Sequence, residues 1–496
     1  MGAFPRLHAQ PERQEAARRR IVRLVFIVFL LLIFEGVLRK WMLPEFQRPL
    51  YFVRDPFVVL IYIHALAYGF ILRSSMLVAL GIFAVFISVF HLLLVLAGTG
   101  HPISWAIGVR HYFFYIPLAF VIGYCFRFED LAALIRLNLL LAIPIGVLVF
   151  LQYQSPPSAW INRGLSDDID SITLVVDDMV RPYGTFTYTS GHVLYTAASF
   201  AMLAAGWLLR REMRLPWWLV VPASGAIMVM ALTTGSRAVW FFLAQVVLCL
   251  GAVTLSAARS GYSLKALTLV IAAALAAVAL YSSVLAPAYE AIMIRTEVAA
   301  RSEPLGERAL GTLSHAFETA SVAPIQGFGL GSGILGAVAA LTGERSFALA
   351  ETEWDRVVLE LGPIFGLGFI ALRIAVVAWL LWRALVANRI LGSPAGLILF
   401  GFAGLHVLNG QLTMNGMGAI LGWLFVGLLL AATNPSSESV SKCAPATAAV
   451  VDRRAKRLIS LTSRGSFPAQ KGLEVLKLKP ASLAQQKSVW QSRGRR

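Results

Sequence analysis

The chain is predicted to be an all-α polytopic membrane protein with about 12 transmembrane helices and two long outer-face loops. Three features carry this expectation. Of 496 residues, 58% are hydrophobic and 14% charged, and the mean hydropathy of +0.72 is far above that of a water-soluble domain, which excludes an ordinary cytosolic enzyme. Apolar stretches of about 20 residues, the length needed to cross a bilayer as a helix, recur along the chain with few interior charges. The basic residues fall mostly on one side of the alternating pattern that these stretches define.

In order, the apolar stretches lie at about 21–38, 52–72, 75–97, 107–126, 131–152, 190–209, 215–234, 238–257, 265–286, 361–382, 390–409 and 415–432. The first is long, starts well inside the chain and has no small-residue cleavage site, so it is expected to be a retained anchor and not a signal peptide. Residues 1–20 are expected to be a basic cytoplasmic N-terminus, since the cluster Arg18, Arg19, Arg20 and Arg23 leads the anchor and positive charge is retained inside. An even number of spans returns the C-terminus to the cytoplasm and puts the connections at about 153–189 and 287–360 outside. Residues 434–496 lose the apolar pattern and carry 13 of the basic residues; they are expected to be a disordered cytoplasmic tail lying against anionic lipid. That position accounts for the net charge of +17 without nucleic acid as a partner. Cys125, Cys249 and Cys443 are far apart, so no disulfide framework or zinc site is indicated, and no pair of histidines has metal-ligand spacing.

A charge near the bilayer centre costs about 2.5–3.5 kcal/mol on insertion scales, so each needs a partner, a wet cavity or an interfacial place. Glu35-Gly-Val-Leu-Arg39-Lys40-Trp41 closes the first span and Arg54-Asp55-Pro56 opens the second. Glu35 and Arg39 share a helical face, which predicts an ion-pair knot at the outer interface with Trp41 as a belt anchor; the alternative expectation for these charges is a direct substrate role. Arg110 starts the fourth span, where it either snorkels to the headgroups or faces an anionic ligand. His192, Tyr195 and His406 are candidates to line a cavity. The acidic run Asp167, Asp168, Asp170, Asp177 and Asp178 lacks calcium-loop spacing and is expected to be a solvated face.

Three outer segments carry candidate chemistry. Arg181-Pro-Tyr-Gly184-Thr-Phe186 contains a turn signal that delivers the chain to the sixth span. Thr233-Thr-Gly235-Ser236-Arg237 is a short hairpin between spans seven and eight, where glycine allows the reversal and a fixed guanidinium can grip a phosphate with two parallel bonds. Gly327-Phe-Gly329-Leu-Gly331-Ser-Gly333 does not fit a dinucleotide fingerprint and is expected to be a flexible or closely packed turn. Beyond it, Glu351-Thr-Glu353-Trp354-Asp355-Arg356 sets carboxylates beside an arginine, with Glu353 and Arg356 on one helical face, and Glu360-Leu-Gly362 follows. That grouping suggests either acid–base work or a salt-bridge cluster.

In this order and topology the motifs Arg181-Pro-Tyr-Gly-Thr-Phe, Thr-Gly-Ser-Arg237, Gly-Phe-Gly-Leu-Gly and Glu360-Leu-Gly362 resemble the bacterial O-antigen ligase and polysaccharide polymerase superfamily. The opening Glu35-Gly-Val-Leu-Arg-Lys-Trp and Arg54-Asp-Pro are similar to a branch found with exopolysaccharide gene clusters. The likeness covers about residues 20–432, so residues 21–432 are expected to be one transmembrane catalytic domain. It implies a GT-C-like fold and an inner-membrane glycosyltransferase that polymerises undecaprenyl-diphosphate-linked repeat units on the periplasmic face. Other polysaccharide assembly and export proteins are then possible partners.

The resemblance assigns Arg181 and Arg237 to the lipid diphosphate, with Arg110 and Arg356 as further substrate-binding candidates. Where many members have a His-Asn dipeptide before the Glu-x-Gly, this chain has Glu351-Thr352. The base role then passes to Glu351 or Glu353, and the departure favours polymerase over ligase. The implied chemistry is a metal-independent, cofactor-free, inverting displacement in which arginines meet the charge developing on the diphosphate. The competing expectations are an O-antigen ligase, a lipid-linked sugar transporter or flippase, and a non-catalytic partner of an export machine. No internal six-span repeat supports the transporter.

Overall fold

The computed structural model describes residues 11–165, 180–256, 305–334, 349–350, 352–414 and 416–434, all within Met1–Lys442, which forms one unit. The acidic run at 167–178, the stretch at 265–286, Glu351 and, beyond Asn434, the basic tail lie outside them. Among the described residues every helix or strand element is a helix. The main ones are α1 (Pro11–Val37), α2 (Asp55–Tyr68), α3 (Ser75–Leu96), α4 (Pro102–Val109), α5 (Ile116–Cys125), α6 (Phe128–Gln154), α7 (Thr189–Leu208), α8 (Trp217–Thr233), α9 (Arg237–Ser256), α10 (Leu305–Val322), α11 (Glu353–Leu361), α12 (Pro363–Val386), α13 (Ala395–Asn409) and α14 (Gly416–Ala432).

Among the described residues, seven segments are long and apolar enough to cross a membrane: Glu12–Met42, Pro44–Tyr68, Ser75–Leu96, Pro102–Cys125, Phe128–Gln154, Thr189–Leu208 and Pro363–Ile390. Four shorter apolar helices, Trp217–Thr233, Arg237–Val253, Ala395–Asn409 and Gly416–Ala432, coincide with four other expected spans. The outward surface identifies a membrane protein. On α3, Val78, Ile82, Val85, Phe86, Val89, Leu93 and Leu96 are exposed at helical spacing, and α2 exposes Val59, Leu60, Ile63 and Leu66. A continuous apolar stripe facing outward is unfavourable in water and suits hydrocarbon.

The interior is built on α7, α13 and α14, whose residues are nearly all buried. α14 packs against α5 and α13, α13 against α9 and α12, and α6 against α8. Small residues permit close approach in place of a hydrophobic drive between helices: a Cβ on Gly427 of α14 would lie 2.7 Å from Ile122 of α5.

π turns interrupt the helices within these spans, at Leu38–Met42, Arg110–Phe114 and Ala387–Leu391, and the first two turn charged side chains inward. α1 ends in Leu38–Met42, and the expected fourth span is two helices, α4 and α5, separated by Arg110–Phe114. Widening the turn rotates side chains that a continuous α-helix would send elsewhere, a device frequent at functional sites. Here it turns Arg39, Lys40, Arg110, His111 and Tyr112 inward. Arg110 therefore does not snorkel; it is 8% exposed.

Polar contacts gather the helix ends into two groups. At one end Arg18 Nη1 meets Asp130 at 2.6 Å, Arg127 Nη2 meets Glu15 at 2.9 Å and Asn434 donates to the Gly123 carbonyl. The connections that follow α1, α4, α8, α13 and the 180–188 segment meet at the other.

Candidate functional site: a cation-rich junction of helix ends

Glu35, near the end of α1, accepts from Arg39 Nη1 and from Arg54 Nη2, both at 2.8 Å. The Glu35–Arg39 pair follows from the i,i+4 spacing; Arg54 joins from the turn before α2. Arg39 Nε also donates to the Gln47 carbonyl at 3.0 Å. Lys40, 1% exposed, donates to the Gly184 carbonyl at 2.9 Å and lies 4.5 Å from the Trp41 ring. Trp41 stacks on Trp160.

Arg110 grips Asp55 with two bonds, Nε to Oδ2 at 2.6 Å and Nη2 to Oδ1 at 3.2 Å, and Tyr115 donates to Asp55 at 2.7 Å. His111 is held in one tautomer. Its Nδ1–H donates to the Thr413 carbonyl at 3.0 Å, which leaves Nε2 to accept from the Tyr51 hydroxyl at 2.6 Å and from Arg110 Nη1 at 3.0 Å.

Thr413 is the joint to a second network. Its amide and hydroxyl both donate to Glu353 Oε1 at 2.9 Å, and its hydroxyl also accepts from Arg356 Nη2. Arg356 is fully buried between Glu353 at 3.0 Å and Glu360 at 2.5 Å, and Arg373 of α12 binds Glu353 Oε1 at 2.9 Å. The glycine-rich segment is closely packed: Gly331 N–H and Gly333 N–H donate to Glu360 at 3.1 and 2.9 Å, and Tyr112 adds a third donor at 2.8 Å. This nest of amides serves an internal carboxylate. Burial raises the Glu353 carboxyl, but Arg356, Arg373 and the Thr413 amide outweigh it and hold the group below its ordinary value.

The Arg181 segment is fastened from three sides. His192 Nδ1–H donates to the Pro182 carbonyl at 2.8 Å, the Gly184 amide donates to Gln152 Oε1 at 2.8 Å, and Lys40 takes the Gly184 carbonyl. Gly184 has φ +59, a turn a side chain disfavours. Gly36, directly after Glu35, packs on the same segment: a Cβ there would be 2.1 Å from the Thr185 carbonyl. Arg181 Nε then donates to Thr234 O at 3.3 Å. The hairpin turns at Gly235, φ +56, and Arg237 begins α9, half-buried.

The predicted residues therefore divide. Arg181 and the Arg237 hairpin meet, and Lys40 ties them to the Glu35 cluster, which contains Arg110. Glu353 and Arg356 belong instead to a charge-balanced, fully buried network of two guanidiniums and two carboxylates. Such a network is structural in character: both Glu353 oxygens are committed, and its ionised state makes it a weak proton acceptor. Among the described residues, the Glu35 cluster holds three guanidiniums and two carboxylates, and beside it the Lys40 amine bonds the Gly184 carbonyl. Buried cations in excess of their partners suit an anionic ligand. Lys40 and Arg54 were visible among the charges at the ends of the first two spans, where a substrate role was one of two expectations, whereas His111 and Thr413 were not legible as site residues. Arg54-Asp55 was visible as a charged pair, whereas Thr413 has no signal in an apolar hairpin.

Comparison of the chain with protein-family models, curated proteins and solved structures finds no match.

Proposed function

We propose that the chain is a multi-pass inner-membrane glycosyltransferase with 12 spans, a GT-C-like fold and both termini in the cytoplasm, which polymerises undecaprenyl-diphosphate-linked repeat units on the periplasmic face. The observation that carries the reading is the bond between Arg181 and the backbone of the Thr-Gly-Ser-Arg237 hairpin, beside a cluster that, among the described residues, has more cations than carboxylates. The bond supports the reading by holding Arg181 against the hairpin that carries Arg237, and the reading assigns both guanidiniums to the diphosphate.

In the reaction an acceptor hydroxyl attacks the anomeric carbon of the lipid-linked glycan. The new C–O bond forms as the bond to the diphosphate oxygen breaks, and that oxygen leaves with the electron pair. Arg181 and Arg237 meet the charge that develops on it. The hydroxyl proton passes to Glu351, because the Glu353 carboxylate is occupied by Arg356, Arg373 and Thr413. A single displacement inverts the anomeric configuration.

The test is analysis of lipid-linked intermediates in a deletion strain. Single lipid-linked repeat units accumulating at the outer face are expected. Full-length lipid-linked chains would assign the protein to ligation, and units trapped at the cytoplasmic face would assign it to flipping.

A further inference from the structure

Residues 327–334 lie outside any helix, yet every one of their amides is bonded within the protein. Gly327 N–H donates to the Pro324 carbonyl, Phe328 and Gly329 to the carbonyls of Leu359 and Glu360, Ser332 to that of Gly329 and Ile334 to that of Gly331, all at 2.8–3.2 Å. Gly331 and Gly333 donate to the Glu360 carboxylate, and Leu330 N–H donates to Nδ1 of His91 at 3.3 Å. The last bond fixes the depth of the segment. His91 precedes Leu96, the last residue of α3, by five positions, about 7–8 Å along the helix axis. Leu93 and Leu96, nearer that end, are exposed members of the lipid-facing stripe. The segment also fits against α4: a Cβ on Gly331 would lie 2.2 Å from the Ser104 carbonyl and 2.8 Å from the Gly108 Cα. Non-helical backbone is tolerated at hydrocarbon depth only where its polar groups are satisfied by protein or water, and here protein supplies a partner for each amide.

The outward side of the same segment is apolar. Val322 at the end of α10, Ile325 and Phe328 are 78, 75 and 51% exposed. The chain at Ile325 packs on Gly362, where a Cβ would be 2.2 Å from the Ile325 carbonyl. Ile364, two residues on, is also exposed and opens the outward stripe of α12 that runs through Ile374, Leu381 and Trp382. We propose that residues 322–334 are a re-entrant segment, which enters the leaflet on the side of the α3–α4 turn and seats Val322, Ile325 and Phe328 among the acyl chains. The occupant of this surface is membrane lipid, because the patch, Gln326 included, bears no charge and continues the lipid-facing stripe of α12. Glu318, one turn back on α10, is exposed and marks the return to the headgroups. A re-entrant segment leaves on the side it entered, so part of the expected outer connection at 287–360 lies within the membrane without changing the number of crossings. The inference does not depend on the glycosyl-transfer reading.

Spin labels test the depth in the full chain, reconstituted in nanodiscs of phosphatidylethanolamine and phosphatidylglycerol. Cys125, Cys249 and Cys443 are replaced by alanine, and single labels are attached through Ile325→Cys and Phe328→Cys. Leu93→Cys gives the hydrocarbon reference, and Thr99→Cys, in the α3–α4 turn, gives the aqueous one. The ratio of collisions with oxygen, which partitions into hydrocarbon, to collisions with a water-soluble nickel chelate is expected to be several-fold higher at positions 325 and 328 than at Thr99, and close to that at Leu93. A ratio at either position no higher than at Thr99 overturns the proposal. Labels shielded from both reagents overturn it as well, since protein, such as a second copy of the chain, then covers the patch. The unaltered chain gives a second reading should the substituted chains fail to fold. Illumination with a phospholipid that carries a diazirine on its acyl chain is expected to leave adducts on residues 322–328 as on α3, mapped by mass spectrometry. Adducts on α3 with none on 322–328 overturn the proposal.

Discussion

Arg181 Nε donates to the Thr234 carbonyl oxygen at 3.3 Å. This bond joins the Arg-Pro-Tyr-Gly-Thr-Phe segment to the hairpin that carries Arg237, two motifs 53 positions apart. Lys40 and Gly36 of the first helix support the same segment from the other side, so the geometry of the junction depends on elements from widely separated parts of the chain.

Arg237→Lys and Arg181→Lys are expected to lower polymer synthesis at least tenfold, since lysine keeps the charge but cannot make two parallel bonds to a phosphate. The measurement is polymer per unit of membrane-inserted protein. Wild-type levels in Arg237→Lys at matched abundance would remove the diphosphate role.

Glu353→Gln removes one partner from a fully buried network and leaves Arg356 and Arg373 short of a counter-charge. A loss of about 3–5 kcal/mol of stability is expected, read as a fall in melting temperature in detergent. Glu351→Gln is expected instead to abolish turnover with the melting temperature unchanged. The opposite pattern would exchange the roles of the two carboxylates.

The same network makes stability depend on acid. The Glu353 carboxyl is held below its ordinary value in the folded chain, so its contribution is fully present above the unfolded carboxyl value and is lost as pH falls through the lower, folded one. Melting temperatures measured from neutral pH downward should fall in that acidic window more steeply for the wild type than for Glu353→Gln. Parallel curves would show that another group governs acid sensitivity.

Gly36→Ala puts a methyl group 2.1 Å from the Thr185 carbonyl, a distance that the backbone must relieve by moving. The variant is expected to insert normally yet lose polymer synthesis, because the displaced segment carries Arg181. Full activity would show that the junction tolerates movement of that segment.

Reporter fusions are expected to place both termini in the cytoplasm, and truncation after Asn434 to leave polymer synthesis intact. An outside signal from the tail would overturn the proposed sidedness together with the site. Loss of product from a truncated protein that still inserts normally would give the tail a role in the chemistry.

Hydrophobic length and spacing were enough to identify helices and a membrane setting, because a spanning helix must satisfy its backbone internally and face hydrocarbon outside; this is local information. The pairing of Glu35 with Arg39, and of Arg356 with Glu353, was equally legible, since i,i+4 and i,i+3 neighbours share a face on any helix. Neither the inward turn of Arg110 nor the seat of Leu330 against His91 could be read in this way. The first depends on where a π turn interrupts the helix, and the second on the packing of segments 239 positions apart. The charge balance that separates the Arg356 network from the Glu35 cluster likewise exists only in space: the sequence presents arginines and carboxylates in both, and tertiary packing alone decides which cations have enough partners.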